Sequence, residues 1–207
     1  MLRATLSKIF DGILAGVLIA IGGTVYLSYG GHVGAILFSV ALICICYKGY
    51  SLFTGKIGFI PNNHTRNDFS VLLLGLLGNA IGTVLFGFLI AYALPELKTV
   101  SETICTLKLQ LNFFKTLIRA LMCGILMYLA VSIYKEHNKN VVGIVFCIPV
   151  FILCGFEHSI ADIFYFACSG IVSAQAFGFI MTVVLGNTIG AMFFPVLKLI
   201  TKRQNDE

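Results

Sequence analysis

What most constrains this chain is a succession of long stretches without a charged side chain, at residues 13–27, 33–47, 69–94, 120–134, 141–156 and 163–197. A bilayer core offers backbone groups no water, so it is crossed by helices of about 20 apolar residues that satisfy their own N–H and C=O groups. The stretches therefore predict an all-α membrane protein with spans near residues 10–28, 33–60, 69–94, 111–134, 141–168 and 172–200. Of the 207 residues 58% are hydrophobic and 11% charged, against about 25% charged in soluble domains. That leaves room for a single transmembrane domain over residues 1–207. The net charge of +5 sits at the ends of the spans rather than on a basic patch with interleaved aromatics, so a lipid bilayer is the expected partner and nucleic acid is not. Arg3 and Lys8 ahead of an apolar run look superficially like a secretory leader, but the run is too long for one and no convincing cleavage site follows.

Two of the six spans are interrupted. In the fifth, Gly155-Phe156-Glu157-His158-Ser159-Ile160-Ala161-Asp162 places a glutamate, a histidine and an aspartate inside apolar sequence. Ionisable groups at bilayer depth are costly and persist mainly where they face a cavity, a partner or a permeating solute. In the second, the run ending at Cys46 gives way to Lys48-Gly49-Tyr50-Ser51-Leu52-Phe53-Thr54-Gly55-Lys56 before Ile57 resumes it. Either the span ends at Tyr47 and a loop follows, or a broken helix continues. Broken helices are expected at residues 50–56 and 155–159.

Leu-Gly-Asn-x-Ile-Gly occurs at residues 77–82 and again at 185–190, each time in the span after an interrupted one. The chain thus reads as two copies of a three-span unit with a broken middle helix. Three is odd, so the second copy enters from the opposite side, an inverted repeat whose half-helices meet near the midplane. Their N-termini would suit an anion. The glycines at 12, 16, 78, 82, 186 and 190 are expected to let helices approach closely and to support a symmetric oligomer. Placing both termini in the cytoplasm gathers Arg3, Lys8, Lys56, Arg66, Lys135, Lys139, Lys198, Lys202 and Arg203 on that side, with Lys98 and Lys108 outside. Lys115 and Arg119 oppose that rule unless a groove or another protomer takes them. The seven cysteines are odd in number and scattered, and are expected to be packing residues; no disulfide framework, metal or other cofactor is implied.

The Phe-Glu-His-Ser-Ile-Ala run at 156–161, with Leu52-Phe53-Thr54-Gly55, the paired Gly-Asn-x-Ile-Gly motifs, Asp11-Gly-Ile-Leu-Ala-Gly and Leu107-Lys108, closely resembles the formate/nitrite transporter family over nearly the whole chain. The resemblance implies a homopentamer of aquaporin-like protomers in the cell's inner (plasma) membrane, each with its own pore for a small monovalent anion. By the same resemblance His158 is the central pore histidine, Thr54 the threonine facing it, Lys108 the vestibule lysine and Asn187 the asparagine near the histidine. It further implies Phe38 and Phe151 as the outer constriction and Leu42, Leu52 and Phe53 as the inner one. Asp162 and Gly124 depart from the family, which commonly has asparagine at both places. Glu157 is expected to hold the interrupted loop rather than to meet substrate.

A bare anion crossing two apolar rings pays a large desolvation cost that its neutral acid escapes. Histidine changes charge closest to neutral pH, so His158 is expected to hold or relay the proton. A channel for small neutral solutes would share the inverted repeat, but the paired Asn-Pro-Ala motifs of aquaporins are absent. A membrane redox protein using His158 with Cys154 would lack a second histidine as axial ligand. No enzymatic activity is expected.

Overall fold

A computed structural model describes residues 2–62 and 65–205; Asn63 and His64 of the expected polar loop, and Asp206 and Glu207 of the tail, lie outside these. The described residues are mostly helical, with no strand among them. In order come α1 (Leu2–Tyr29), α2 (Gly31–Lys48), the single turn α3 (Phe53–Lys56) running into a 3-10 turn (Ile57–Phe59), α4 (Arg66–Ala93), α5 (Pro95–Leu109), α6 (Phe113–Glu136), α7 (Val142–Leu153), α8 (Ser159–Ser169) and α9 (Ala174–Asn205). Helices α1, α2, α4, α6 and α9 are long and apolar enough to cross a membrane, while α7 and α8 are shorter apolar pieces. The molecule is a multi-pass membrane protein.

The helix ends follow from local chemistry. Thr65 and Asp68 open α4 with a capping box, in which Asp68 Oδ2 accepts from the Thr65 N–H at 2.8 Å. Asn112 caps α6 by accepting from the Lys115 N–H at 3.0 Å. Gly30 and Gly31, at φ 60° and 50°, make the sharp turn between α1 and α2. The connection after Pro95 is a full 15-residue helix: proline at its first position costs no helical hydrogen bond, and Leu97, Ser101 and Cys105, at successive four-residue steps, bury one face. Helix α1 begins about two turns earlier than the hydropathy alone predicts, since helical backbone continues beyond the apolar run.

Helix α1 packs on α4, and α6 packs on α9 in the corresponding place of the second half. The glycines of the repeated motif, together with glycines of the helices that face it, make these pairings. A β-carbon on Gly12 would fall 2.6 Å from the Gly75 carbonyl oxygen, and one on Gly190 would meet the Leu121 carbonyl. Gly16 and Gly82 likewise meet the facing α4 and α1 backbones, and Gly186 that of α6. These residues close helix pairs within one protomer, so they are not evidence for an oligomer, contrary to the expectation above. Gly124 belongs to the same set, because its missing β-carbon leaves room for the Asn187 carbonyl oxygen; asparagine could not stand there without parting α6 from α9. Large apolar side chains such as Leu73, Phe88 and Tyr92 on α4 point outward, Tyr92 being 89% exposed, as a lipid-facing or subunit-facing surface requires.

Candidate functional site

Both interruptions are built alike. The first break, residues 49–52, starts with Gly49 at φ 73°, and the second, residues 154–158, contains Gly155 at φ 66°. Glycine adopts this left-handed conformation at no steric cost. Each break then returns through one extended residue, Leu52 or His158, and a new helix begins. The halves differ in length, since α3 is a single turn and α8 has 11 residues.

The asparagine of each repeated motif holds the break open. Asn79 accepts from the Phe53 N–H at 2.9 Å and donates to the carbonyls of Gly12 and Ser51, each at 2.8 Å. Asn187 accepts from the Ser159 N–H at 2.9 Å and donates to the carbonyls of Ala120 and Glu157, each at 2.8 Å. Both asparagines are fully buried. One primary amide thus supplies the hydrogen bonds that an unwound segment has lost, without which irregular backbone is not tolerated at membrane depth. Asn187 touches backbone alone and borders neither cavity described below. It positions the site rather than lining it.

His158 occupies the meeting point of the two breaks. Its Nε2 lies 2.9 Å from Thr54 Oγ1, and its Nδ1 accepts the Ala161 N–H at 3.2 Å, capping α8. Because Nδ1 accepts, the neutral ring carries its proton on Nε2 and donates it to Thr54. Adding a proton at Nδ1 would set N–H against N–H and open the cap. The histidine therefore has no free nitrogen for a proton in this arrangement, which limits the expected role as proton holder. The N–H groups of Ser159 and Ala161 at the start of α8 are likewise taken by Asn187 and His158, leaving less of that terminus for an anion than the broken helix suggests. The imidazole stacks on Phe151 at 5.6 Å and 20° between planes, and Phe38 meets Phe151 edge-on at 6.3 Å.

Two cavities lie on either side. One, of about 220 Å³, is bordered by Phe38, Phe151, His158, Lys108, Glu157 and Asp162. The other, of about 200 Å³, is bordered by Leu42, Leu52, Tyr50, Val131, Lys56 and Lys135. Phe38 and Leu42 are one turn apart on α2, about 6 Å at 1.5 Å rise per residue, and border different cavities. Thr54, against His158, and Phe53, tied by its N–H to Asn79, are both buried and border neither cavity.

Charge is distributed unequally. In the first cavity Lys108 Nζ is bonded to Glu157 Oε2 and lies 2.9 Å from Asp162 Oδ1. Arg119 reaches Glu157 at 3.8 Å, which accounts for a cation that topology counting could not place. Glu157 joins the loop to both cations and through its carbonyl to Asn187. Two cations and two carboxylates cancel formally. In the second cavity Lys56 and Lys135 form no ion pair among the described contacts, and Lys135 Nζ sits 3.7 Å from the Phe59 ring centroid. The sequence singled out the histidine, threonine and Lys108 but gave Arg119, Lys56 and Lys135 only as charges near span ends; what brings them to a cavity is tertiary.

Comparison with known proteins agrees with this architecture. The pentameric formate channel with formate bound superposes with a TM-score of 0.82 at 19% identity, covering 98% of both chains. An FNT family ion channel gives 0.86 at 21%, covering 95% of this chain and 90% of that one. The formate-nitrite transporter of Plasmodium malariae is 26% identical over 191 residues, 78% of this chain but 61% of that longer protein. The nitrite transporter NirC of Escherichia coli (strain K12) is 27% identical over 176 residues, 75% of this chain and 66% of its own length. The family model described as "Formate/nitrite transporter" matches residues 2–200, and with that extent of match the chain belongs to the formate/nitrite transporter family.

Proposed function

We propose that this protein conducts a small monovalent anion, of the class of formate, nitrite or hydrosulfide, across the plasma membrane together with a proton. The observation that carries the proposal is the pair of cavities, each with lysine at its wall, divided by one apolar layer that contains a single polar contact, His158 with Thr54. Lys56 and Lys135, without an ion pair among the described contacts, draw anions to the second cavity, while Lys108 in the first is held by Glu157 and Asp162. The layer of Phe38, Phe151, Leu42 and Leu52 is passable to a neutral acid and closed to a bare ion by desolvation. His158, held as a neutral Nε2–H donor to Thr54, gives the layer one polar step, at which the passing acid exchanges with Thr54 for that hydrogen bond. Phe53 and Asn187 act from behind this layer, by fixing the breaks that bring Thr54 and His158 together.

The similarity to a pentameric formate channel supports a homopentamer with one pore per protomer. The lysine and arginine count supports cytoplasmic termini and a Lys108 cavity that faces outward. The test is uptake of formate, nitrite and hydrosulfide into proteoliposomes with and without an inward proton gradient, alongside native mass spectrometry of the purified oligomer. Gradient-stimulated entry of at least one anion through a pentamer is expected. No entry of any of the three, with the oligomer intact, would remove the proposal.

A further inference from the structure

Resting on that anion-plus-proton reading, the geometry points to Asp162 as the group that holds the proton in the Lys108 cavity and competes with the incoming anion for Lys108. Three observations converge. Glu157 has two cationic partners, Lys108 and Arg119, whereas Asp162 has Lys108 alone among the described ion pairs. Asp162 borders the cavity and is 1% exposed, and its second oxygen, Oδ2, is buried without a hydrogen-bond partner. A buried orphan carboxylate oxygen is costly, and a proton or a donor from an entering acid relieves it. His158, one turn earlier on the same segment, has both ring nitrogens engaged.

The groups acting around Asp162 are Lys108 and Cys105 from α5, Glu157 from the loop, Tyr165 on α8 itself, Cys123 from α6 and Tyr26 from α1, which borders the same cavity. Among the described residues, α4 and α9 contribute no charge that acts on it. Phenols and thiols are neutral at ordinary pH, so the balance lies between one lysine and two carboxylates, with Arg119 held to Glu157.

Proton and charge then account for one another. A proton from the aqueous mouth binds Asp162 Oδ2, which releases Lys108 from that carboxylate, and the anion takes the vacated place on the ammonium. The Asp162 proton passes to the anion, giving the neutral acid. Asp162, again a carboxylate, re-pairs with Lys108, and the acid proceeds past Phe38, Phe151 and His158. One proton and one anion enter for each acid that leaves the cavity, and an anion without its proton finds Lys108 already occupied.

The experiment compares wild type with Asp162→Asn and Asp162→Glu in proteoliposomes, using formate and nitrite as probes. For wild type the half-saturating anion concentration should rise with external pH towards tenfold per unit, the limit for one linked proton. Asp162→Asn should flatten that dependence and bind the anion at alkaline pH at least tenfold more tightly than wild type; Asp162→Glu should restore the slope. A slope unchanged in Asp162→Asn overturns the inference and leaves the anion pathway standing. Infrared titration reads Asp162 without any flux, as a protonated-carboxyl C=O band in wild type that is absent in Asp162→Asn. If wild type carries no anion but shows this band, the transport reading falls while Asp162 remains the proton site. No such band at any pH at which the oligomer stays intact overturns it.

Discussion

Replacing Asn187 with leucine tests the origin of the broken helix. The side chain is fully buried and makes three hydrogen bonds, to the Ser159 N–H and to the carbonyls of Ala120 and Glu157. Inter-helix hydrogen bonds inside membrane proteins average about 0.6 kcal/mol each, which gives a floor of about 2 kcal/mol for three. The ceiling comes from groups left without any partner. The Ala120 carbonyl lies within α6 and has its helical bond, but the Ser159 N–H and Glu157 carbonyl flank the break. At about 1–3 kcal/mol for each buried unsatisfied group, their loss costs up to about 6 kcal/mol. Equilibrium denaturation in mixed micelles should therefore show Asn187→Leu less stable by about 2–6 kcal/mol. Asn79→Leu should lose a similar amount, because its three bonds are the counterparts in the other half. A loss under about 1 kcal/mol in either variant, with His158 still bonded to Thr54, would refute the idea that these amides hold the breaks.

Gly12→Val should destabilise by more than about 3 kcal/mol, beyond ordinary overpacking, since its β-carbon falls 2.6 Å from a backbone oxygen; Gly178→Val, with nothing within 4 Å of the added carbon, should leave the thermal midpoint unchanged. Phe38→Ala should open the division between the cavities and admit larger carboxylates such as acetate, read as a fall in formate-over-acetate selectivity in liposome flux. Lys108→Gln leaves Asp162 without a cation and should cost about 3–5 kcal/mol, and the double variant with Asp162→Asn should recover part of that loss in the same denaturation assay.

The spans and the presence of two interruptions were legible because each is a local property: an apolar run makes a span, and Gly49 or Gly155 ends one; the extent of the first was not, since the break is 49–52 and residues 53–56, expected within it, form the helical turn α3. The repeated Leu-Gly-Asn-x-Ile-Gly also marked corresponding positions in the two halves. Its purpose was not legible. The amide of each motif acts on backbone 67 residues away as well as on the break, and its glycines close a helix pair inside the protomer, whereas spacing alone could equally have served a subunit contact. The resemblance named Asp162 as a departure but could not supply its partner, because Lys108 and Asp162 meet only once α5 folds over α8. The tautomer of His158 depends on Ala161 and Thr54, and the second of these comes from α3, just after the other break.

On the proposed mechanism an anion becomes passable by travelling as its acid across an apolar layer whose polar step is the His158–Thr54 contact. The most direct measurement is formate and nitrite uptake by proteoliposomes carrying either wild type or His158→Phe, each verified as an assembled oligomer, under an inward proton gradient. Gradient-driven uptake is expected in wild type and its loss in His158→Phe, where an aromatic ring stays but the Nε2–H donor to Thr54 and the Nδ1 acceptor that caps α8 are gone. Uptake by His158→Phe at the wild-type rate and with the wild-type pH profile would contradict it.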